Sequence, residues 1–265
     1  MTILELKNIS KAYQNRKGNE ARVILKNIDL KIEENEFLCI VGPSGCGKTT
    51  ALNLMAGFEK PDAGNLYFKG EEINGTSGDR AVVFQEFSLM PWMNVIGKVK
   101  FSIDDRYSSA EKERIAERYI DLVGLAEFRD QRPNNLSGGM NQRVAIARTL
   151  AMEPEMMLMD EPFSALDELT RKNLDHEILE IWKNDRTTVV FITHNINEAL
   201  LLATRIIMIS SSPGRIVGEW RLDSIDKNVD TERLSEIREE ITELLQSTNE
   251  QSLERNEIWI SKEIR

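Results

Sequence analysis

Three features of the sequence predict an α/β fold. First, short apolar runs recur, at Glu36-Phe37-Leu38-Cys39-Ile40-Val41, Ala81-Val82-Val83-Phe84, Met156-Met157-Leu158-Met159, Thr187-Thr188-Val189-Val190-Phe191-Ile192-Thr193 and Ile206-Ile207-Met208-Ile209. Each has the length of a strand buried on both faces. Second, helical patterns alternate with these runs, which argues for a sheet covered by helices. Third, the stretch from about Glu86 to Leu150 holds helical spacing and no such run, so a helical block is inserted into the sheet.

The totals set limits. A chain of 265 residues, 41% hydrophobic and 29% charged, suits a soluble globular protein of one large domain or two small ones. Its formal net charge of −10 makes it a poor general binder of nucleic acid or anionic lipid. The two cysteines, Cys39 and Cys46, fall in a buried strand and a loop, so no disulfide is expected and a reducing, cytosolic setting fits. The first residues, Met1 to Lys7, carry no secretory signal pattern. No apolar run approaches the roughly 20 residues of a membrane span. The best candidate, Ala199 to Ala203, soon meets Arg205. Any membrane role is therefore expected to come through a partner protein.

The elements follow in order. Leu4, Leu6 and Ile9 mark a first strand, and Ile28, Leu30 and Ile32 a second at period two. Tyr13 to Glu20 is a polar connection between them. Pro61-Asp62-Ala63-Gly64 is a turn, Leu66-Tyr67-Phe68 a short strand, and the glycines as far as Gly78 punctuate a meander. In the helical block, Ser108 with Glu111 forms an N-terminal capping pattern. Ile115, Tyr119, Leu122 and Val123 then recur at helical spacing up to a stop at Gly124. Pro133-Asn134-Asn135 opens a loop before Leu136-Ser137-Gly138-Gly139 and an amphipathic helix through Leu150. A helix from about Leu169 to Trp182 carries Leu174, Ile178, Leu179 and Ile181. Ser212-Pro213-Gly214 turns the chain into a last strand. Domain organisation is accordingly 1–225 as one domain, with the helical subdomain at about 86–150, and 226–265 as a charged extension. In that extension Leu234, Ile237, Ile241, Leu244 and Leu245 form a helical stripe. Beyond Gln246 the chain reads as weakly structured, with Ile258, Trp259 and Ile260 available to dock.

The chemistry is concentrated in Gly42-Pro43-Ser44-Gly45-Cys46-Gly47-Lys48-Thr49, between a buried strand and the helix beginning near Thr50. Strand, glycine-rich loop and helix make a phosphate-binding loop. Glycines let successive backbone N–H groups point inward at phosphate oxygens, and the helix start adds unpaired N–H groups and a positive dipole end. Lys48 reaches the β- and γ-phosphates and the Thr49 hydroxyl is placed to bind Mg²⁺. Such folds hold Mg²⁺ with a second acid at a strand end, and Asp160 supplies one. The adjacent Glu161 is a candidate to polarise an attacking water. Gln85 and His194 end two other buried strands. In a parallel sheet those ends share one edge with the phosphate loop, so Gln85, Asp160, Glu161 and His194 are expected to converge there. Ser137 and Gly139 offer a hydroxyl, free N–H groups and a helix start, a second place for anion recognition. Tyr13 is either strand-end packing or a stacking platform for a base.

The ordered set of GPSGCGKT, Gln85, LSGGMNQRVAIARTL, MMLMDEP, SALD and ITH resembles the ATP-binding subunits of ABC transporters over about residues 1–220. The resemblance implies a P-loop NTPase fold of the ABC ATPase type: a RecA-like core, an antiparallel β subdomain and an inserted helical subdomain. It implies ATP and Mg²⁺ as ligands and a head-to-tail homodimer with ATP at the interface. By that resemblance Tyr13 stacks on adenine, and Gly42, Pro43, Ser44, Gly45, Cys46, Gly47, Lys48, Thr49 and Thr50 wrap the phosphates. Thr49 and Asp160 serve Mg²⁺, Gln85 contacts Mg²⁺ or the attacking water, Glu161 is the catalytic base, and His194 holds the γ-phosphate, with Lys48 also counted as catalytic. Gln85 also reports to a membrane partner. Ser137 and Gly139 bind the γ-phosphate held by the other protomer, and Asp167 bridges the dimer. Met140 stands where many relatives have Gln.

Two further stretches, Phe87 to Val95 with Pro91-Trp92, and Ile209 to Ile216 with Pro213-Gly214-Arg215, are similar to segments of nitrate, sulfonate and taurine importers. This implies an importer of nitrate, a sulfonate, taurine, bicarbonate or a thiamine-precursor pyrimidine. The implied partners are integral-membrane permease subunits and an extracytoplasmic solute-binding protein, with the chain on the inner face of the membrane. The alternative is a non-transport ABC ATPase. Those usually carry a long coiled coil, zinc-binding cysteines or two cassettes, none of which is seen in this sequence. A phosphate-loop kinase has no use for LSGG. A non-hydrolysing regulatory subunit is disfavoured by the presence of Lys48, Asp160, Glu161 and His194.

Overall fold

The computed structural model describes residues 1–14, 21–84, 90–164, 166–185, 187–211, 213–227 and 229–263, with side chains to residue 248 except that of residue 185. In chain order the elements are β1 (Thr2–Gln14), β2 (Ala21–Glu33), β3 (Phe37–Val41), α1 (Lys48–Ala56), β4 (Ala63–Phe68), β5 (Glu71–Glu72) and β6 (Arg80–Val83). There follow α2 (Val95–Ser102), α3 (Ser109–Leu122), α4 (Gly138–Leu150), β7 (Met156–Asp160), α5 (Glu168–Asp185), β8 (Thr188–Ile192), α6 (Ile196–Leu202), β9 (Arg205–Ile209), β10 (Ile216–Arg221) and α7 (Thr231–Glu263). Two compact units emerge, residues 1–76 with 191–265, and residues 77–190.

In the first unit, β2-β1-β4-β5 form an antiparallel sheet. Ile28, Leu30 and Ile32 are buried while Asp29 and Lys31 are exposed, the alternation of a sheet covered on one face. The β1–β2 register shifts at several places, and Asn8 and Asn27 take positive φ, both 52°, close to two of them. Asparagine tolerates that region better than other side chains. The backbone N–H of Asn8 donates to Asp29 at 2.8 Å, and the Ser10 hydroxyl donates to Asn27 Oδ1 at 3.4 Å. A second sheet runs β10-β9-β3 and takes in the end of β8. β3 and β9 are parallel, β9 and β10 antiparallel. All five residues of β3 and of β9 are buried, as the apolar runs Phe37–Val41 and Ile206–Ile209 require. At the foot of β9, Arg205 is 6% exposed and its Nε donates to Glu36 Oε1 at 2.5 Å. The two residues are 169 apart in sequence, and the pairing satisfies a charge that would be costly to bury alone.

The tail differs from the sequence reading. Instead of fading after Gln246, α7 is one helix of 33 residues reaching Glu263. Ile237 and Ile241 are buried, and Trp220 Nε1 donates to Glu240 at 2.7 Å. The Ser211 hydroxyl donates to the Thr248 carbonyl at 3.3 Å. The side chains of Ile258, Trp259 and Ile260 lie outside those described.

In the second unit β6 and β7 pair in parallel, and the start of β8 follows β7 in the sheet. The helices α2, α3 and α4 pack against one another. Asn94 caps α2 by accepting from the Gly97 N–H at 3.0 Å. Ser108 and Glu111 form the reciprocal capping box expected for α3. Val95, Val99, Ala116, Ile120, Val144 and Ala147 fill the space between the helices. Among the described residues no helix is long and apolar enough to cross a membrane.

Candidate nucleotide-binding site

The phosphate loop lies in the first unit, between β3 and α1. Gly47 stands at φ 103°, a left-handed conformation that a side chain disfavours, and a Cβ there would lie 2.7 Å from Leu25 Cδ2. No side chain caps the start of α1, and no acid lies in its first turn. Its leading N–H groups and dipole are therefore not engaged by a capping side chain or by an acid of the helix's own first turn. Lys48 is buried at 6% exposure, and its ammonium donates to the carbonyls of Gly42 at 2.8 Å and Pro43 at 3.1 Å. An ammonium has three donors, so one N–H remains beyond those two. Ser44, Gly45 and Thr49 are exposed and Pro43 and Thr50 half-buried. Cys46 is 1% exposed, its sulfur 3.0 Å from where a Cβ on Gly42 would stand. The thiol is packed beneath the loop, and its backbone is what lines it. Neither cysteine is in a disulfide.

Tyr13 ends in the same unit, within β1. Its ring is 39% exposed, with the Lys11 ammonium 5.5 Å from the centroid. Its hydroxyl donates to Glu59 at 2.5 Å. Burial first, and then the Glu59 carboxylate, raise its pKa, while a hydrogen bond with Thr50 of α1 opposes them. Glu59 was not legible as a site residue, because nothing in the sequence pairs it with a residue 46 positions away.

His194 follows β8 and is exposed. The preceding Thr193 donates its N–H to the Ile40 carbonyl at 3.3 Å, so the chain leaves β8 beside the end of β3. The Thr193 hydroxyl bonds Glu198, and Asn195 caps α6 by accepting from Asn197 N at 2.9 Å. The imidazole is thus set between a fixed strand end and a capped helix.

The second unit carries the remaining expected residues. Asp160 ends β7 and is half-buried. Glu161, also half-buried, has φ 43°. A non-glycine residue in this region costs about 1–3 kcal/mol and persists only where neighbours impose it. Buried Pro162 and Phe163 and a bond from Ser164 N to the Glu161 carbonyl at 3.2 Å hold it. Ser137 is exposed and caps α4, its oxygen accepting from Met140 N at 3.2 Å. Gly139 is buried, and a Cβ there would lie 2.6 Å from Thr170 Cγ2. Asp167 accepts from Thr170 N at 3.0 Å and from the Thr170 hydroxyl at 2.7 Å. Those two bonds hold its carboxyl below the usual carboxylate range. Thr170 therefore joins Gly139 to Asp167, a link between residues that the sequence did not pair.

Gln85 lies outside the described residues, as do Phe87 to Leu89 and Ser212 of the two importer-like stretches, Ala165 and the connection at 15–20. Pro91 and Trp92 are exposed, Trp92 at 69%.

Comparison with known proteins agrees with this geometry. The ABC transporter family pattern matches residues 25–164. The chain is 42% identical over 236 residues to the bicarbonate transport ATP-binding protein CmpD of Synechocystis sp., covering 88% of this chain and 83% of that one. It is 39% identical over 266 residues to the taurine import ATP-binding protein TauB of Ruegeria pomeroyi, covering 97% and 99%. Among solved structures, the dimeric post-hydrolysis ATP-binding cassette MJ0796 bound to ADP and Pi is 35% identical, with a TM-score of 0.73 over 83% of this chain and 99% of that one. The chain belongs to the ATP-binding subunits of ABC transporters, in the branch that contains bicarbonate and taurine importers.

Proposed function

We propose that this ATP-hydrolysing subunit drives uptake of a small solute, with the residue roles that follow. The observation that carries the reading is the Lys48 ammonium fixed by two loop carbonyls at the uncapped start of α1. Gly42 to Thr50 bind the phosphates through backbone N–H groups and Lys48, and Tyr13 stacks on the base. Mg²⁺ suits the donor set: among the described residues no group of three or more acidic, His or Cys side chains could hold a metal alone. Magnesium is ordinarily held by one or two carboxylates, with phosphate oxygens and water filling its shell. The Thr49 hydroxyl, Asp160 and Gln85 are the protein's share. When bound, the ion neutralises charge on the phosphate oxygens.

Glu161 accepts a proton from water as that oxygen attacks the γ-phosphorus, and the bond to the β-phosphate oxygen breaks. His194 donates to a γ-phosphate oxygen and stabilises its growing charge. Ser137 and Gly139 serve the γ-phosphate of a second copy, and Asp167 lies beside them through Thr170. Exposed Pro91 and Trp92 suit docking on an integral-membrane permease at the inner face of the membrane. An extracytoplasmic solute-binding protein completes the system. TauB and CmpD are named for taurine and bicarbonate, and the solute of this system is a small one such as nitrate, a sulfonate, taurine, bicarbonate or a thiamine-precursor pyrimidine. A non-transport ABC ATPase finds less support, because the relatives reported are transport subunits.

Glu161→Gln tests the assignment. ATP binding is expected within a few-fold of the parent and turnover to fall at least about 100-fold, the usual weight of a general base. Hydrolysis near the parent rate contradicts the assigned base.

A further inference from the structure

The turn after β9 touches the phosphate loop from behind. A Cβ on Gly214 would lie 2.3 Å from the Cys46 carbonyl oxygen and 3.0 Å from Leu25 Cδ2 and Ile209 Cγ2. A Cβ on Gly42 would lie 2.4 Å from the Ile209 carbonyl. Leu25 also meets Gly47, as described above. The three glycines are thus positions where backbone meets neighbour with no room for a side chain.

Gly214 is itself fixed from two sides. Its N–H donates to the Ile24 carbonyl at 2.7 Å, and its carbonyl accepts from Lys26 N at 3.0 Å. The turn is closed by Ser210 N donating to the Arg215 carbonyl at 2.9 Å, and by Arg215 N donating to the Ser210 hydroxyl at 3.2 Å. The backbone of Gly214, held on both sides, therefore bears on the Cys46 carbonyl. In a planar trans peptide the carbonyl of one residue and the N–H of the next point in opposite directions. Contact on the Cys46 carbonyl from behind turns the Gly47 N–H forward, into the loop.

We propose that Gly214 is a positioning residue for phosphate binding: its backbone sets the peptide plane between Cys46 and Gly47 and so aims the Gly47 N–H at the nucleotide. The inference rests on the reading of Gly42 to Thr49 as the phosphate loop. The importer-like segment around Pro213-Gly214-Arg215 then serves ATP binding, not solute choice.

The test is Gly214→Ala in the full chain, with ADP as the probe, since it needs one protomer only. ADP affinity by calorimetry is expected to fall about 10- to 100-fold, the effect of misdirecting one charge-assisted hydrogen bond. Amide exchange in residues 42–48 of the nucleotide-free protein is expected to accelerate, while that in β3 and β9 is retained. Packing loss alone lowers the melting temperature and leaves affinity per folded molecule unchanged. Affinity within two-fold of the parent in folded Gly214→Ala overturns the proposal. Should that variant fail to fold, Pro213→Gly, which adds no atom and loosens the turn, decides: faster exchange at 42–48 with weaker ADP binding supports the brace, and unchanged values overturn it. A parent chain that binds no ADP refutes the phosphate-loop reading itself.

Discussion

Lys98 is buried in the second unit at 1% exposure, and among the described residues its ammonium has no hydrogen-bond partner. Burial chiefly, and then the Arg148 charge, push its pKa down to about 8 from the ordinary 10.5. The folded state therefore binds this proton less tightly than the unfolded chain. Between pH 8 and 10.5 the unfolded chain holds more protons, so stability rises with pH across that window. Below it the charge opposes folding fully. Lys98→Met keeps the stem and removes the charge, and at pH 7 it is expected to stabilise the chain by about 1–3 kcal/mol. In thermal melts the advantage of the variant shrinks as pH climbs from 8 towards 10.5. A parent chain more stable than Lys98→Met at pH 7 sinks the assignment. Lys98 had no signature in the sequence: one lysine on an amphipathic helix reads as surface. The phosphate loop's backbone conformation is legible because it is written in glycines, Gly47 at φ 103° among them. The place of Glu161 after a strand is legible, but its positive φ is not, since that conformation is imposed by packing.

At the scale of elements, α4 and α5 meet where Gly139 faces Thr170. Gly139→Ala puts a carbon 2.6 Å from Thr170 Cγ2 and is expected to destabilise the fold by about 1–2 kcal/mol, the usual penalty of overpacking. Thr170→Ser removes that methyl while keeping the hydroxyl that binds Asp167. The double variant is expected to recover the melting temperature. If Gly139 also serves the γ-phosphate of a second copy, hydrolysis stays low after stability returns. Recovery of both together reduces Gly139 to a packing residue. Elements buried on all sides were the most legible ones: β3, β7, β8 and β9 appear as apolar runs. The long ends of β1 and β2 were not, because Lys11 to Gln14 pair with Ala21 to Leu25 largely in solvent and show no clear alternation. The second half of α7 is hard to read because Leu253 is the one large apolar residue between Leu245 and Ile258, too few to set a period. The Glu36–Arg205 pair joins residues that only the tertiary fold brings together.

For the whole molecule, the decisive question is whether one ATP needs two chains. Lys48 and Ser137 belong to different compact units, and the composite reading assigns them to different copies around one nucleotide. Complementation distinguishes the possibilities. Lys48→Ala removes the phosphate cation, and Ser137→Arg fills the signature start of α4 with a bulky side chain. Each variant alone is expected to hydrolyse ATP at a small fraction of the parent rate. In a hybrid dimer, the Ser137→Arg chain brings an intact phosphate loop and the Lys48→Ala chain brings an intact Ser137. One of the two sites is then whole, and the other carries both lesions. With random pairing in an equal mixture half the dimers are hybrids, so recovery reaches up to about a quarter of the parent rate if sites act independently. If every nucleotide were served by one chain, mixing would restore nothing. Recovery must also depend on pairing: it is expected to rise with the square of total protein at low concentration, where dimers are scarce. Activity that appears on mixing but scales linearly there contradicts assembly from two chains. Each variant's retention of its parent melting temperature separates a lost site from a lost fold.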